Sequence, residues 1–429
     1  MTPSVESPTA AVVEPPSQTS AWVWFVCGIL LLASTINYMD RQTLSTVSKR
    51  IQDEFHLSNQ QYGQLEKVFG WAFAAGALVF GFIADRVNIR WLYPAVLLMW
   101  SLMGFLTGWA ETFLQLLWCR MLLGLFEAGH WPCALKTTQR LLPSSKRTLG
   151  NSVLQSGTAI GAILTPLILR FMLTEAEGSW RPAFQAIGLI GIGWVILWLS
   201  VIRGSELAPL PDSAPTPGAT NFFVAITQRR FLVLVAVVIL INACYHAYRV
   251  WLPLFLQKGR GYEERAALDF LFWFYIANDV GCITAGILTA WLHKRGWTVH
   301  HARLVVFGGC AVLTGLCVLL PWLPAGSGLL VVMLLLSAGS LGMFPCYYAF
   351  SQELSTKHQG KVTGLLGTFA WFFVAPLHEF FGWWVDQTGR YDHGLILAGL
   401  LPLIATVIIL IGWGHDEAPL SREAQPSTA

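Results

Sequence analysis

Long apolar runs follow one another along almost the whole chain, and no soluble fold accommodates so many. They fall at about 22–46, 61–84, 91–110, 112–136, 149–171, 181–202, 231–256, 267–291, 303–323, 327–350, 359–383 and 393–413. A helix needs about 20 mostly apolar residues to cross the hydrocarbon core of a bilayer. Inside that core the backbone finds no water, so each run must close its hydrogen bonds within itself. The expected fold class is an all-α membrane protein of twelve transmembrane helices. Composition agrees, because 429 residues that are 55% hydrophobic and only 12% charged cannot clothe a soluble surface.

The same composition narrows the partners. A net charge of +3, without a basic run interleaved with aromatics, argues against nucleic acid. Eight cysteines stand singly, Cys27, Cys119, Cys244 and Cys310 among them, without CxxC or zinc spacing. They read as small buried side chains, with no metal or cofactor expected. The expected surroundings are lipid. The chain carries no H-E-x-x-H, G-x-S-x-G or phosphate-cradling glycine loop, so an enzyme is not expected. Residues 1–20 are rich in Pro, Ser and Thr and hold no Lys or Arg, unlike a secretory signal. They read as a disordered tail, as do residues 415–429.

One long interruption, 203–230, contains Pro209, Pro211, Pro215, Pro217 and Gly218. It suggests two six-helix halves, 21–203 and 231–414, joined by a linker over 204–230. No strong residue-by-residue repeat relates them. Lys and Arg are commoner in the loops on the side of Arg86, Arg140, Arg229 and Lys294, so that side and both termini are expected in the cytoplasm. Gly157, Gly161, Gly281 and Gly286 read as contact points between helices. Trp180, Trp291 and Trp384, near span ends, read as interface belts.

Charges inside the spans carry the functional signal. Arg120 and Glu127 are seven residues apart, two turns along one helix face. A charge at the depth of Glu127 costs about 2.5–3.5 kcal/mol on insertion scales. Two readings stay open: a structural ion pair, or an arginine fork for a carboxylate beside a proton-carrying acid. Asp40 and Arg41 are cavity residues or interfacial anchors, and Tyr38 is a hydroxyl donor or an interfacial aromatic. Asn242, His246 and Arg249 share one face of the seventh span, where the histidine is either titratable or a packed core residue. Asp279, deep in the eighth span, is a cavity acid or a helix cap. The adjacent pairs Glu66 with Lys67, and His378 with Glu379, either close an extracellular gate or mark helix ends.

Three motifs then point to a family. Gly81-Phe-Ile-Ala-Asp85-Arg86-Val-Asn88-Ile-Arg90 resembles the G-x-x-x-D-R-x-G-x-R loop of the major facilitator superfamily. Asn88 replaces a glycine there, and asparagine tolerates left-handed backbone better than most residues. Asn37-Tyr38-Met39-Asp40-Arg41 is similar to the N-Y-x-D-R of the anion:cation symporter family within that superfamily. The fourth span matches R-x6-E with Arg120 and Glu127, followed by Trp131-Pro132. Ser351-Gln-Glu-Leu-Ser355 and Gly360-Lys-Val-Thr-Gly364 resemble bacterial hexuronate carriers.

The resemblance implies a major facilitator fold and a secondary transporter in a bacterial inner membrane, working as a monomer. It implies that Arg41 and Arg120 bind the anion, that Asp40 and Glu127 carry protons, and that Tyr38 and Gln155 meet substrate hydroxyls. Asp85, Arg86 and Arg90 would hold the halves together on the cytoplasmic side when the carrier faces outward. The implied function is proton-coupled symport of a small organic anion, a sugar acid such as a hexuronate or galactonate. An anion exchanger without obligatory proton coupling and a transporter-like sensor are the alternatives.

Overall fold

The structure, a computed structural model, describes residues 20–142, 144–203, 207, 226–354 and 359–414. The expected tails and most of the 204–230 linker lie outside these residues, and so does the side chain of Asp85. Among the described residues all regular structure is helical.

Twelve spans follow in order. The first half contains Ser20–Thr46, Asn59–Arg86, Ile89–Thr107, a fourth span in two pieces (Phe113–Glu127 and His130–Leu141), Ser144–Met172 and Arg181–Val201. The second half contains Arg229–Leu254, Glu264–Lys294, Val299–Gly315, a tenth span in two pieces (Ser327–Gly342 and Phe344–Leu354), Gln359–Thr388 and Tyr391–Gly412. A short helix, Ser48–Glu54, which the apolar pattern does not signal, links the first two spans.

Local chemistry explains the boundaries. Ser58 and Gln61 form a capping box at the start of the second span, and Thr112 and Gln115 form one at the start of the fourth. The fourth span breaks at Ala128-Gly129 because Pro132 has no N–H for the carbonyl of Ala128 and its ring crowds that carbonyl. Asn88 corrects an expectation: its φ of −67° is not left-handed, and its side chain caps the third span by accepting from the Arg90 amide. A polar cap, rather than a tolerated glycine substitute, is its local role.

The repeat that is faint in sequence is plain in packing. In the first half the spans pair as one with five, two with four, and three with six; the second half repeats these contacts as seven with eleven, eight with ten, and nine with twelve, although span seven packs more extensively on span twelve. Between halves, span two lies along span eleven, and span five along span eight. Gly157, Gly161 and Gly281 are contact points as expected, since a Cβ there would lie 2.2, 2.5 and 2.1 Å from a carbonyl oxygen of a neighbouring span. Gly286 is not: nothing lies within 4 Å of a Cβ built on it.

The apolar cores show where the halves meet. At the end of the bundle remote from residues 20 and 414, here the far end, one cluster mixes both halves, with Leu44, Tyr62 and Trp180 beside Trp251, Phe255 and Phe381. Toward the other end the buried clusters separate, one from the first half and one from the second. Trp180 therefore departs from its expected interface role; it is fully buried and donates to Glu54 Oε2 at 2.6 Å. Trp291 and Trp384 are exposed, as an interface belt requires.

Candidate functional site

Six ionisable side chains from four spans converge where the joint core gives way to the separate ones. Asp40 and Arg41 come from the first span, Glu66 from the second, Arg120 and Glu127 from the fourth, and Arg249 from the seventh. None is more than 4% exposed. Three carboxylates face three guanidiniums, so the formal charge cancels.

Glycines make this convergence possible. A Cβ on Gly124 would lie 2.4 Å from the Phe69 carbonyl oxygen, so only glycine lets span four sit this close to span two. The contact places the Arg120 guanidinium 4.4 Å from the Phe69 ring centroid and its Nη2 3.2 Å from Glu66 Oε1. Gly104 makes room for Asp40, whose Oδ1 would lie 2.8 Å from a Cβ there.

The pairing differs from the simplest expectation. Arg120 and Glu127 share a helix but do not pair with each other. Arg41 Nε donates to Glu127 Oε2 at 2.7 Å, while Arg120 turns to Glu66. Seven residues span roughly 10 Å along a helix axis, too far for an ion pair between side chains pointing the same way. Asp40 and Arg41 are buried, which removes the interfacial-anchor reading. The Arg41 guanidinium lies within an aromatic cage: 5.5 Å from Tyr38, 5.4 Å from Phe69, 4.6 Å from Phe73 and 5.7 Å from Trp371. Rings of this kind hold a cation without neutralising it.

The second half contributes Arg249. Its Nη2 donates to Glu66 Oε2 at 2.8 Å and its Nε to His246 Nδ1 at 3.2 Å. His246 also lies against Trp371, with ring centroids 4.5 Å apart. Asn242 is set apart, donating to the Val238 carbonyl of its own helix at 2.7 Å.

The adjacent pairs separate because neighbours on a helix point to different faces. Glu66 is fully buried between two arginines, whereas Lys67 pairs with Glu379 of the eleventh span. His378 is buried near Glu66 and Arg249 rather than paired with Glu379. Asp279 is half-buried, and no hydrogen bond or ion pair joins it to the cluster among the described residues. Gln155 is exposed and donates to Thr158 of its own helix at 3.3 Å. Tyr38 is half-buried beside Arg41. Arg86 is exposed and Arg90 lies over the Trp91 ring, both at the end where the cores are separate.

Sequence reasoning missed the bridging role of Glu66, which a charged neighbour disguised as a helix-end residue. It also missed Phe69, Phe73, Trp371 and the Tyr275–Gln42 contact of 3.0 Å between halves, since aromatic and amide side chains are common in such spans.

Several polar atoms of the cluster have no partner among the described residues: Arg41 Nη2, Arg120 Nε and Nη1, Glu127 Oε1 and both Asp40 oxygens. These are unused donors beside unused acceptors. Beyond them the far end is closed by ion pairs between halves: Arg50 with Glu264, Asp53 with Lys258, Arg170 with Asp269, and Lys67 with Glu379. The hydrogen bond that Arg50 donates to Glu264 raises the Arg50 pKa, against partial burial. Asp386 completes the closure by accepting from the Asn59 and Gln60 amides at the start of the second span, at 2.9 and 2.8 Å.

Known proteins are similar along nearly the whole chain. A probable sulfoacetate transporter of Cupriavidus necator is 26% identical over 403 residues, 88% of this chain and 90% of that protein. A hexuronate transporter of Bacillus subtilis is 25% identical over 400 residues, 89% and 92% of the two chains. Among solved structures, a bacterial homologue of the human lysosomal transporter Spinster, in an inward-facing and unoccupied conformation, superposes with a TM-score of 0.77 at 16% identity, covering 92% of this chain and 98% of that one. The sequence profile of the Major Facilitator Superfamily matches residues 30–377, and the chain belongs to that superfamily.

Proposed function

We propose that this membrane transporter carries a small organic anion, a hydroxylated sugar acid such as a hexuronate or galactonate, together with protons. The observation that carries the proposal is the buried Arg41–Glu127 pair beside Arg120, with donors and acceptors still unpartnered. The relatives are named as a probable sulfoacetate transporter and a hexuronate transporter, and both of those compounds are small organic anions.

The mechanism follows from charge. The empty site is formally neutral, so it crosses the closed states of the cycle without a net charge in the apolar core. A substrate carboxylate engages Arg120 and Arg41 through forked hydrogen bonds. Arg41 then loosens its hold on Glu127, and a carboxylate deprived of its cation in apolar surroundings takes up a proton. One proton makes the complex with a monoanion neutral. A second, on Asp40, makes it +1, and a membrane potential then contributes about 2.3 kcal/mol per 100 mV. Tyr38 and Gln155 meet the substrate hydroxyls.

The two halves, 21–203 and 231–414, rock about this site as a monomer in the bacterial inner membrane. Both termini are cytoplasmic and the far end faces outward. The conformation with the far end closed is then the inward-facing one, and Asp85, Arg86 and Arg90 hold the halves together in the outward-facing one. Thermal-shift measurements with glucuronate, galacturonate and galactonate, against glucose and galactose, test the substrate class. Stabilisation by the acids is expected; stabilisation by the neutral sugars alone contradicts it.

A further inference from the structure

Glu66 is unlike the other two acids of the cluster. Its two oxygens are divided between two arginines, Oε1 to Arg120 Nη2 at 3.2 Å and Oε2 to Arg249 Nη2 at 2.8 Å. Arg120 belongs to the first half and Arg249 to the second, so this one carboxylate ties the halves across the site. Glu66 and Arg120 are fully buried and Arg249 is 2% exposed. Immediately beyond, the far end is sealed by Tyr62 edge-on to Trp251, with ring centroids 5.3 Å apart, and by Trp251 stacked on Phe381 at 4.6 Å. The tie is therefore made only when the seal is closed, because opening the far end draws Arg249 away with the second half.

We propose that Glu66 is a built-in competitor of the transported anion. In the empty carrier its carboxylate occupies the two arginines from opposite halves, and an entering substrate carboxylate, taken by Arg41 and Arg120, displaces it from Arg120. The proposal rests on the anion-binding function argued above and adds what that function leaves open, namely how the carrier closes with nothing bound. Two guanidiniums brought together in an apolar core without an anion pay a large desolvation and repulsion cost. Glu66 supplies that anion from the chain itself. It thereby separates a symporter, whose empty form must reorient, from an exchanger, whose closed form always holds substrate. Glu66 acts here as a positioning residue that sets the occupancy of Arg120 and Arg249, not as a carrier of the coupled proton.

Glu66→Gln removes the competing charge while keeping size and one acceptor. Three readouts in the purified, reconstituted protein test the proposal with D-glucuronate as probe. Binding should tighten about tenfold, the loss of one competing charge-assisted hydrogen bond. Exchange of labelled for unlabelled glucuronate should remain measurable. Net uptake into glucuronate-free vesicles should collapse, while binding keeps its pH dependence. Glu127→Gln should differ, flattening that pH dependence without tightening binding. Unchanged or weaker binding by Glu66→Gln in folded protein, or retained net uptake, overturns the proposal. If Glu66→Gln does not fold, Glu66→Asp serves, since its shorter reach cannot span both arginines. It should tighten binding in the same direction, and unchanged or weaker affinity overturns the proposal. Failure of the unaltered protein to bind glucuronate, galacturonate or galactonate would overturn the substrate reading and this inference together. Normal binding with no effect of Glu66 overturns the inference alone.

Discussion

Arg120 commits one Nη2 hydrogen bond to Glu66 and keeps Nε and Nη1 for something else. A lysine at this position preserves the charge but not the planar array of donors. Arg120→Lys should lower the uptake kcat/KM for glucuronate roughly 10–100-fold, the effect of losing one charge-assisted hydrogen bond of about 1.5–3 kcal/mol. Near-normal affinity in a well-expressed variant would move Arg120 from the substrate to a structural pair. Glu127→Gln imitates the protonated acid. It should still bind and exchange substrate, because that half-cycle never requires deprotonation, whereas proton-driven net uptake should fall to the background of empty vesicles. A structural role instead leaves Arg41 buried and unpaired, at a cost of about 3–5 kcal/mol, and expression and both activities fall together. Five of the six charged residues were legible in sequence, because Asp40, Arg41, Arg120 and Glu127 combine motif with depth and Arg249 lies on a polar face of an apolar span. Glu66 was not, since Lys67 beside it suggested a helix end. Partner choice was not legible either: Glu127 takes its cation from the first span and Arg120 its anion from the second. Spacing within one helix carries no information about neighbours from other helices.

Elements were easier to read than their joints. Apolar runs located every span because bilayer thickness sets their length. The fifth span nevertheless begins at Ser144 rather than near 149, since its first turn is polar and hydropathy does not mark it. The break at Ala128-Gly129 is written in Pro132, and it leaves Glu127 at the end of a helix segment in mid-membrane. The contact between spans two and eleven depends on Gly63, where a Cβ would lie 2.2 Å from the His378 carbonyl oxygen. Gly63→Leu should wedge these spans apart and favour the state open at the far end. Spin labels at the exposed positions Glu175 and Glu263, one on each half, should then report a longer distance by roughly 5 Å or more, one helical turn of displacement. An unchanged distance would show that this contact does not govern closure.

At the scale of the whole molecule, one joint apolar core at the far end and two separate cores toward the other end are the arrangement that the proposed rocking of two halves requires. The proline-rich interruption suggests the two-half plan in sequence, but which end is shut depends on contacts such as Asp386 with Asn59 and Gln60, more than 300 residues apart. Every ion pair that joins the two halves at that closed end must break when the carrier turns over, so closure cannot be too stable. These pairs are partly exposed, and exposed pairs are worth only about 0–1 kcal/mol each, which suits that requirement. The proposed coupling asks the molecule to convert a proton gradient into an anion gradient across this hinge. Labelled glucuronate uptake into proteoliposomes, under an imposed proton gradient with the membrane potential clamped at zero, tests this most directly. The account predicts transient accumulation above the outside concentration, abolished by a protonophore. Equilibration to the same level with and without the gradient, together with robust exchange in preloaded vesicles, would contradict it and leave an anion exchanger in its place.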